Sequence, residues 1–356
     1  MNTVFIHSVQ SDKPNQNVFI LTICSQPKLM VNHHPSLKKP FFILGDSRSG
    51  TTLLAYLLSK HSMAIIPPET NLIQKLIKAV SGKYLNEPVN KSRLLDTVYS
   101  DDKFSDWKIE RNILEAIFPD RVSVNEVILT ICSHYACTQA SNAEAFGIKK
   151  NLIGVYDLVS TIFENPRVIW IIRDGRAVFY SKKTSIQTST KLPFVTNPIP
   201  AASTWKWKNQ RLGKISMLYG NTFKIYYEHL LTNTDSVMRD VCEFIGLHYE
   251  PHPHKENKYP VPDRYKTIHQ NIGKEIDPSR TNAWENGLSS REITIYELIA
   301  GDELKRHGYN ILSNHGLLAR LCGISVGFMY SLFVHELRSL IIRLIKYSRT
   351  TLLKMR

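Results

Sequence analysis

Arg48 sits in a glycine-bounded loop whose residue types and spacing suit the capture of an anion. Phe41 to Leu54 reads FFILGDSRSGTTLL: an apolar run, a turn, then the start of a helix. Gly45 and Gly50 are five apart, and Thr51 and Thr52 follow at once. This is the outline of the phosphate-binding loop G-x-x-x-x-G-K-[ST]. Backbone N–H groups of such a loop face an anion at a helix N-terminus, where the helix dipole also favours negative charge. Thr51 stands where a triphosphate-binding loop has its lysine, so the loop is not expected to serve a nucleoside triphosphate. The cation is Arg48 instead. Its planar fork of donors suits a phosphate that carries a second tetrahedral oxyanion, as a phosphosulfate does.

A second stretch repeats this logic. Arg167–Ile172 (RVIWII) is an apolar, β-branched run that ends in Arg173–Asp174–Gly175–Arg176, and a helix with Ser181 follows. Arg173 and Ser181 are eight apart, so a strand-end guanidinium and a hydroxyl two helical turns away can close on one phosphate. Alone, such a cluster reads equally well as surface ion pairs; downstream of a phosphate loop it reads as a second anion site. Between the two lie Glu69, in P-P-E-T, and the adjacent Lys149 and Lys150, in G-I-K-K-N. On its own Glu69 is an ordinary acid before the helical spacing of Leu72, Ile73 and Leu76.

Strands and helices must alternate to position these groups. Strands are expected at Phe41–Gly45, Ile65–Pro68, Phe146–Lys149, Arg167–Ile172 and Phe223–Tyr227. Helices are expected at Ser49–His61, Asn71–Val80, Leu158–Phe163, Asp174–Ser185, Ala201–Leu218, Val237–Ile245 (stopped by Gly246) and Ile293–Leu304. Residues 81–146 read as mostly helical cover over the site, and Pro193–Pro200 and Pro251–Pro262 as loops. The expected fold class is α/β: a P-loop-type parallel sheet flanked by helices, with a C-terminal basic amphipathic helical extension. Residues 1–37 form a weakly ordered arm in which His33 and His34 are solvated, 38–312 the domain, and 313–356 the tail.

The chain has 356 residues, a formal net charge of +14 and 43% hydrophobic residues, enough for a sizeable core. That charge asks for an anionic partner. Nucleic acid is not expected, because no Cys/His finger, arginine-rich run or aromatic ribonucleoprotein motif appears. The five cysteines are odd in number and include no C-x-x-C pair, as expected for reduced thiols in the cytoplasm. No signal peptide is apparent. From Ser313 onward seven Lys/Arg face one acid, Glu336. Phe333, Leu337, Leu340, Ile341, Leu344 and Ile345 share one helical face opposite Arg338, Lys346 and Arg349. Such a helix suits an anionic membrane surface, placing the protein at the inner face of a membrane, or else packs on the domain. Leu317–Val334 is long enough to span a bilayer, but spanning is not the expected arrangement.

The loop and the strand–Arg–helix–Ser element, in this order, resemble the PAPS-dependent sulfotransferase superfamily over roughly residues 38–312. The resemblance is to the branch with tyrosylprotein sulfotransferases and bacterial members. It implies PAPS (3′-phosphoadenosine 5′-phosphosulfate) as cosubstrate and no metal. Ser49, Gly50, Thr51 and Thr52 would hold the 5′-phosphate; Arg173 and Ser181 would hold the 3′-phosphate. Glu69, 21 residues after Arg48, falls at the catalytic base position. Arg48 would stabilise the bridging oxygen and sulfuryl group, assisted by Lys149; Asn151 replaces the family's proline, leaving Lys149 and Lys150 as alternatives. Tyr226–Glu228 followed by F-I-G-L at Phe244–Leu247 resembles the segment whose Tyr227 lines the adenosine pocket. Ile272–Trp284 resembles a loop closing over the cosubstrate, with Lys274 and Arg280 as contacts.

The expected reaction is in-line sulfuryl transfer to a hydroxyl or amine on a small-molecule, glycan or lipid acceptor, with Glu69 as base. A P-loop kinase or NTPase, and a nucleotide-binding membrane-surface protein without activity, are the rival readings. His248, His252 and His254 form an exposed loop rather than a metal site. Trp205–Lys208 (WKWK) either stacks a substrate or forms an amphipathic helix face.

Overall fold

The computed structural model describes residues 34–37, 40–82, 84–139, 142–163, 166–187, 190–251, 262, 277–313, 316, 322–323, 325–327 and 329–330. In chain order the elements are β1 (Phe41–Leu44), α1 (Thr51–Ser59), β2 (Ala64–Ile65), α2 (Leu72–Ala79), β3 (Val89–Asn90), α3 (Lys91–Tyr99), α4 (Arg111–Ile117), β4 (Arg121–Val122), α5 (Val124–Gln139) and β5 (Ala145–Lys149). There follow α6 (Tyr156–Ile162), β6 (Arg167–Ile172), α7 (Gly175–Thr184), α8 (Pro198–Tyr219), β7 (Thr222–Tyr226), α9 (Tyr227–Thr232), α10 (Thr234–Ile245), α11 (Ala283–Gly287) and α12 (Ser290–Arg306).

Five strands form one sheet in the order β2-β5-β1-β6-β7, and every pair is parallel. A parallel sheet carries helices on both faces, so its strands must be apolar throughout rather than alternating. All four residues of β1 are buried. Phe42, Leu44, Val168 and Trp170 face one hydrophobic cluster, under α2, α5 and α6. Phe41, Ile43, Ile169 and Ile171 face a second, under α1 and α10. A third cluster joins Val178 and Phe179 of α7, Trp205 of α8 and Tyr296 of α12.

The chain leaves β1 toward β2 and β5 on one side and later reaches β6 and β7 on the other. The carboxyl end of β1 is therefore the place where the strand order reverses, the usual position of a ligand crevice in such sheets. Helix ends are fixed by local chemistry. Ser289 and Glu292 form a capping box on α12, and Gly246 (φ 82°) closes α10 in the left-handed conformation, with the Leu247 N–H donating to Cys242 O at 2.8 Å.

Three expectations change. His34 is buried rather than solvated: its N–H donates to Ser133 Oγ at 2.7 Å, and its Nδ1 lies 2.8 Å from Ser36 Oγ. The helix expected from Ala201 begins at Pro198, because Asn197 caps Ile199 N–H and proline is tolerated in a first turn. Residues 81–146 are helical as expected but also hold the antiparallel pair β3–β4. The tail begins against the domain: Gly323 and Gly327 are buried, against Leu298 and Ile299 of α12. The expected amphipathic face, Phe333 to Ile345, lies outside the described residues, as does His33. Among the described residues no helix is long and apolar enough to cross a membrane. Cys132, Cys137, Cys242 and Cys322 are free thiols.

Candidate active site

The Gly45–Thr52 loop leaves β1 and delivers the chain into α1 with two residues in the left-handed region. Gly50 has φ 98°, and a Cβ there would stand 2.4 Å from the Tyr227 ring, so only glycine fits. Arg48 has φ 72°, which costs a non-glycine residue of order 1 kcal/mol. The surroundings hold it there. Ser49 N–H donates to Asp46 O at 3.1 Å, and Arg173 Nη1 donates to Arg48 O at 3.1 Å. Arg48 Nε donates to Ser181 Oγ at 3.1 Å. Burial, followed by the charge of Arg173, lowers the Arg48 pKa.

At one end of the crevice stands Glu69. Its Oε2 lies 2.8 Å from Lys149 Nζ and its Oε1 2.9 Å from Lys150 Nζ. Lys149 also donates to Thr52 Oγ1 at 3.3 Å, tying the carboxylate to the Gly45–Thr52 loop, and Lys150 donates to Asn71 Oδ1 at 2.9 Å. Burial alone would raise the Glu69 carboxyl; the two ammonium groups together outweigh it and hold the carboxyl far below the usual range. The P-P-E turn is fixed from behind by Trp107, whose Nε1 donates to Pro68 O at 2.9 Å, and by Asp101, which accepts from Asn71 N–H and Nδ2. A cleft lined by Glu69, Lys149, Lys150, Ile73, Trp107 and Leu152 opens beside the carboxylate.

At the other end Arg173 leaves β6. Its guanidinium lies over the Tyr227 ring (4.4 Å to the centroid), and its Nη2 donates to Arg280 O at 3.1 Å. Its Nε is buried with no hydrogen-bond partner. An orphaned buried donor of this kind beside a guanidinium–hydroxyl pair suits a phosphate oxygen. The neighbouring Arg176 points the other way, onto Asp174 and Glu297 (2.7 and 2.5 Å) and over Trp284. Glu297 also accepts from Leu312 N–H and Ser313 N–H, anchoring the segment that follows α12. Glu228, raised chiefly by burial, accepts from Asp174 N–H and Tyr309 OH, both at 3.0 Å.

The expected residues thus divide into two groups. Glu69, Lys149 and Thr52 stand together, and both lysines reach Glu69; Lys149 is the one joined to the loop. Arg48, expected to stabilise the bridging oxygen and sulfuryl group, bonds Ser181 through its Nε and lies close enough to Arg173 to feel its charge. Tyr227, expected to line the adenosine pocket, is buried between Gly50 and Arg173 and packs against both. Arg280 serves through its carbonyl, while its side chain pairs with Asp277 at 3.3 Å. Lys274, His252 and His254 lie outside the described residues; His248 O lies 2.6 Å from His61 Nε2. Among the described residues no group of three His, Cys, Asp or Glu could hold a metal ion.

In the WKWK run, Trp205 is fully buried and donates to Arg173 O at 3.2 Å, and Lys208 is buried against Asp46, so this run is a helix face and not a stacking platform. Sequence reasoning passed over Asp46, Lys182 and Lys208, which meet under the loop, and Asp101 and Trp107, which hold the Glu69 turn. An acid in the loop two residues before Arg48 was the available signal for the first group; none marked the second.

The sequence matches the model of the Sulfotransferase family over residues 40–251. The chain belongs to that family. It is 27% identical over 214 residues to protein-tyrosine sulfotransferase 2 of Gallus gallus, an alignment covering 58% of this chain and 50% of that protein. The chain therefore spans about half the length of that curated relative. Among solved structures, the sulfotransferase domain from the curacin biosynthetic pathway superposes with a TM-score of 0.54 at 17% identity, covering 77% of this chain and 99% of that domain. The sulfotransferase domain of the Synechococcus PCC 7002 olefin synthase gives 0.50 at 19% identity, covering 78% and 98%. These two likenesses are of fold.

Proposed function

We propose that this sulfotransferase moves a sulfuryl group from PAPS to a hydroxyl or amine acceptor, with Glu69 taking the acceptor's proton. The observation that carries the reading is Glu69 held between Lys149 and Lys150, with Lys149 bonded in turn to Thr52 of the loop. A proton acceptor and a cation for the leaving oxygen thereby stand one ion pair apart, with the cation bonded to the loop. PAPS supplies a sulfur whose bond to the 5′-phosphate oxygen breaks as the acceptor bond forms, leaving 3′,5′-ADP. The loop amides and Thr51 and Thr52 hold the 5′-phosphate. Arg173, Arg48 and Ser181 take the 3′-phosphate, for which the unpartnered Arg173 Nε supplies a donor.

Glu69 is ionised at neutral pH and weakly basic while both lysines hold it. An anion that draws Lys149 away returns basicity to the carboxylate as the acceptor arrives. The apolar wall of the adjoining cleft (Ile73, Trp107 and Leu152) would exclude water from that proton transfer.

Calorimetric titration with 3′,5′-ADP and with ATP plus Mg²⁺ tests the cosubstrate. Micromolar binding of 3′,5′-ADP, weak binding of ATP and transfer of label from PAPS to members of a hydroxyl acceptor panel are expected. A preference for Mg-ATP would return the kinase reading.

A further inference from the structure

Under the phosphate loop lies a charge cluster that the transfer reaction itself does not use. The Asp46 side chain is wholly buried at the root of the loop. Lys182 of α7 reaches its Oδ2 and Lys208 of α8 its Oδ1, each at 2.5 Å. Burial would raise the Asp46 carboxyl, and the two lysines together pull it down to about 2. Among the described residues neither lysine has another acidic partner within salt-bridge distance. One carboxylate facing two ammonium groups leaves a unit of positive charge in the interior.

Such a surplus is unfavourable to folding. Burial, with help from the charges of Lys208 and Arg48, lowers the Lys182 pKa despite the attraction of Asp46. A single Asp–Lys pair would satisfy the same carboxylate without the excess. The position of the surplus gives it a use. Lys182 directly follows Ser181 on α7, and Asp46 lies two residues before Arg48, so the cluster ties together the two segments whose side chains meet in the Arg48–Ser181 bond.

We propose that Lys182 and Lys208, gathered on Asp46, form a buried cationic seat that holds Arg48 and Ser181 in register and favours the doubly charged 3′-phosphate of the nucleotide over ligands lacking it. These are positioning residues, acting through the loop and α7. The inference rests on the PAPS reading above for the identity of the ligand.

The test uses Lys182→Met and Lys208→Met in the full chain, with calorimetric titration of 3′,5′-ADP and 5′-AMP and thermal melting. Each substitution removes the surplus and leaves one balanced Asp–Lys pair. The expected result is a melting temperature equal to or above that of the unsubstituted protein. Affinity for 3′,5′-ADP should be weaker by roughly tenfold or more, the direction expected when a unit of positive charge facing a dianion is removed at an effective dielectric of about 20. Affinity for 5′-AMP should change much less, so the preference narrows. Folded variants that keep the full preference would overturn the inference, as would a collapse of folding in both variants. If the unsubstituted protein binds no 3′,5′-ADP, the PAPS reading falls and takes this inference with it; unchanged variants of a binding protein sink the inference alone.

Discussion

The two ends of the crevice are built on opposite electrostatic plans. At the Glu69 end the protein supplies its own anion: one carboxylate is shared by two ammonium groups and a threonine completes the link to the loop. At the Arg173 end it supplies guanidinium groups, a hydroxyl and an unpartnered Nε, and Glu228 and Glu297 are turned instead to backbone amides, Tyr309 and Arg176. An end that already holds an acid can move a proton; an end that withholds acids from its cations is completed by the charge of a ligand. On the proposed reading, the same kind of strand-to-helix turn serves chemistry in one place and recognition in the other.

The sharpest break of that contrast is Glu69→Gln. PAPS-dependent turnover should fall by roughly 10²–10⁴, the usual worth of a general base, while 3′,5′-ADP affinity measured by calorimetry is retained. Retained turnover would remove Glu69 from the chemistry without touching the other end. Arg173→Ala should do the converse. It should weaken 3′,5′-ADP binding about a hundredfold, as expected when a buried charge contact is truncated, and Ser181→Ala should weaken it by roughly three- to tenfold.

Acid titration tests the lysine-held carboxylates under the loop and beside it by stability. Asp46 and Glu69 both have folded-state pKa values below their ordinary ones. Their contribution is complete above the unfolded value, near pH 4, and is lost as pH falls through the folded value, about 2 for Asp46. Melting temperature should therefore be flat down to about pH 4 and drop below it, with Asp46 accounting for about 2 kcal/mol. An unchanged melting temperature at pH 2.5–3 would show that neither carboxylate is held by its lysines. The smallest effect is expected from Trp107→Phe, which removes one hydrogen bond to Pro68 O, about 1 kcal/mol. Turnover should drop about fivefold, with nucleotide binding unaltered if Trp107 serves the Glu69 end alone.

The sheet was legible because short, β-branched apolar runs such as Arg167–Ile172 suit a strand buried on both faces, and because glycines mark the turn after β1. The glycine loop after β1 and the Arg173–Ser181 strand-to-helix turn were legible as elements because each is local in sequence. Arg48's partner was not: spacing from Glu69 along the chain is silent about which way a guanidinium on a left-handed backbone will turn, and Ser181 decides it. Lys208 illustrates the same limit. Read within WKWK it is a helix-face cation, and only the fold brings it to Asp46. Tyr227 was placed near the nucleotide by resemblance, yet the space it fills is set by the missing side chain of Gly50.

The hydrogen bonds that assemble this crevice join residues far apart in the chain: 81 positions for Lys150 to Glu69, 133 for Arg48 to Ser181 and 162 for Lys208 to Asp46. Contacts of that range form only after large loops have closed, which slows folding. A growing chain that has emitted the glycine loop still lacks α7 and α8, and it has no anion site to offer. The proposed nucleotide affinity would therefore belong to the finished fold alone, and a ligand that binds only that state draws late folding intermediates toward it by mass action.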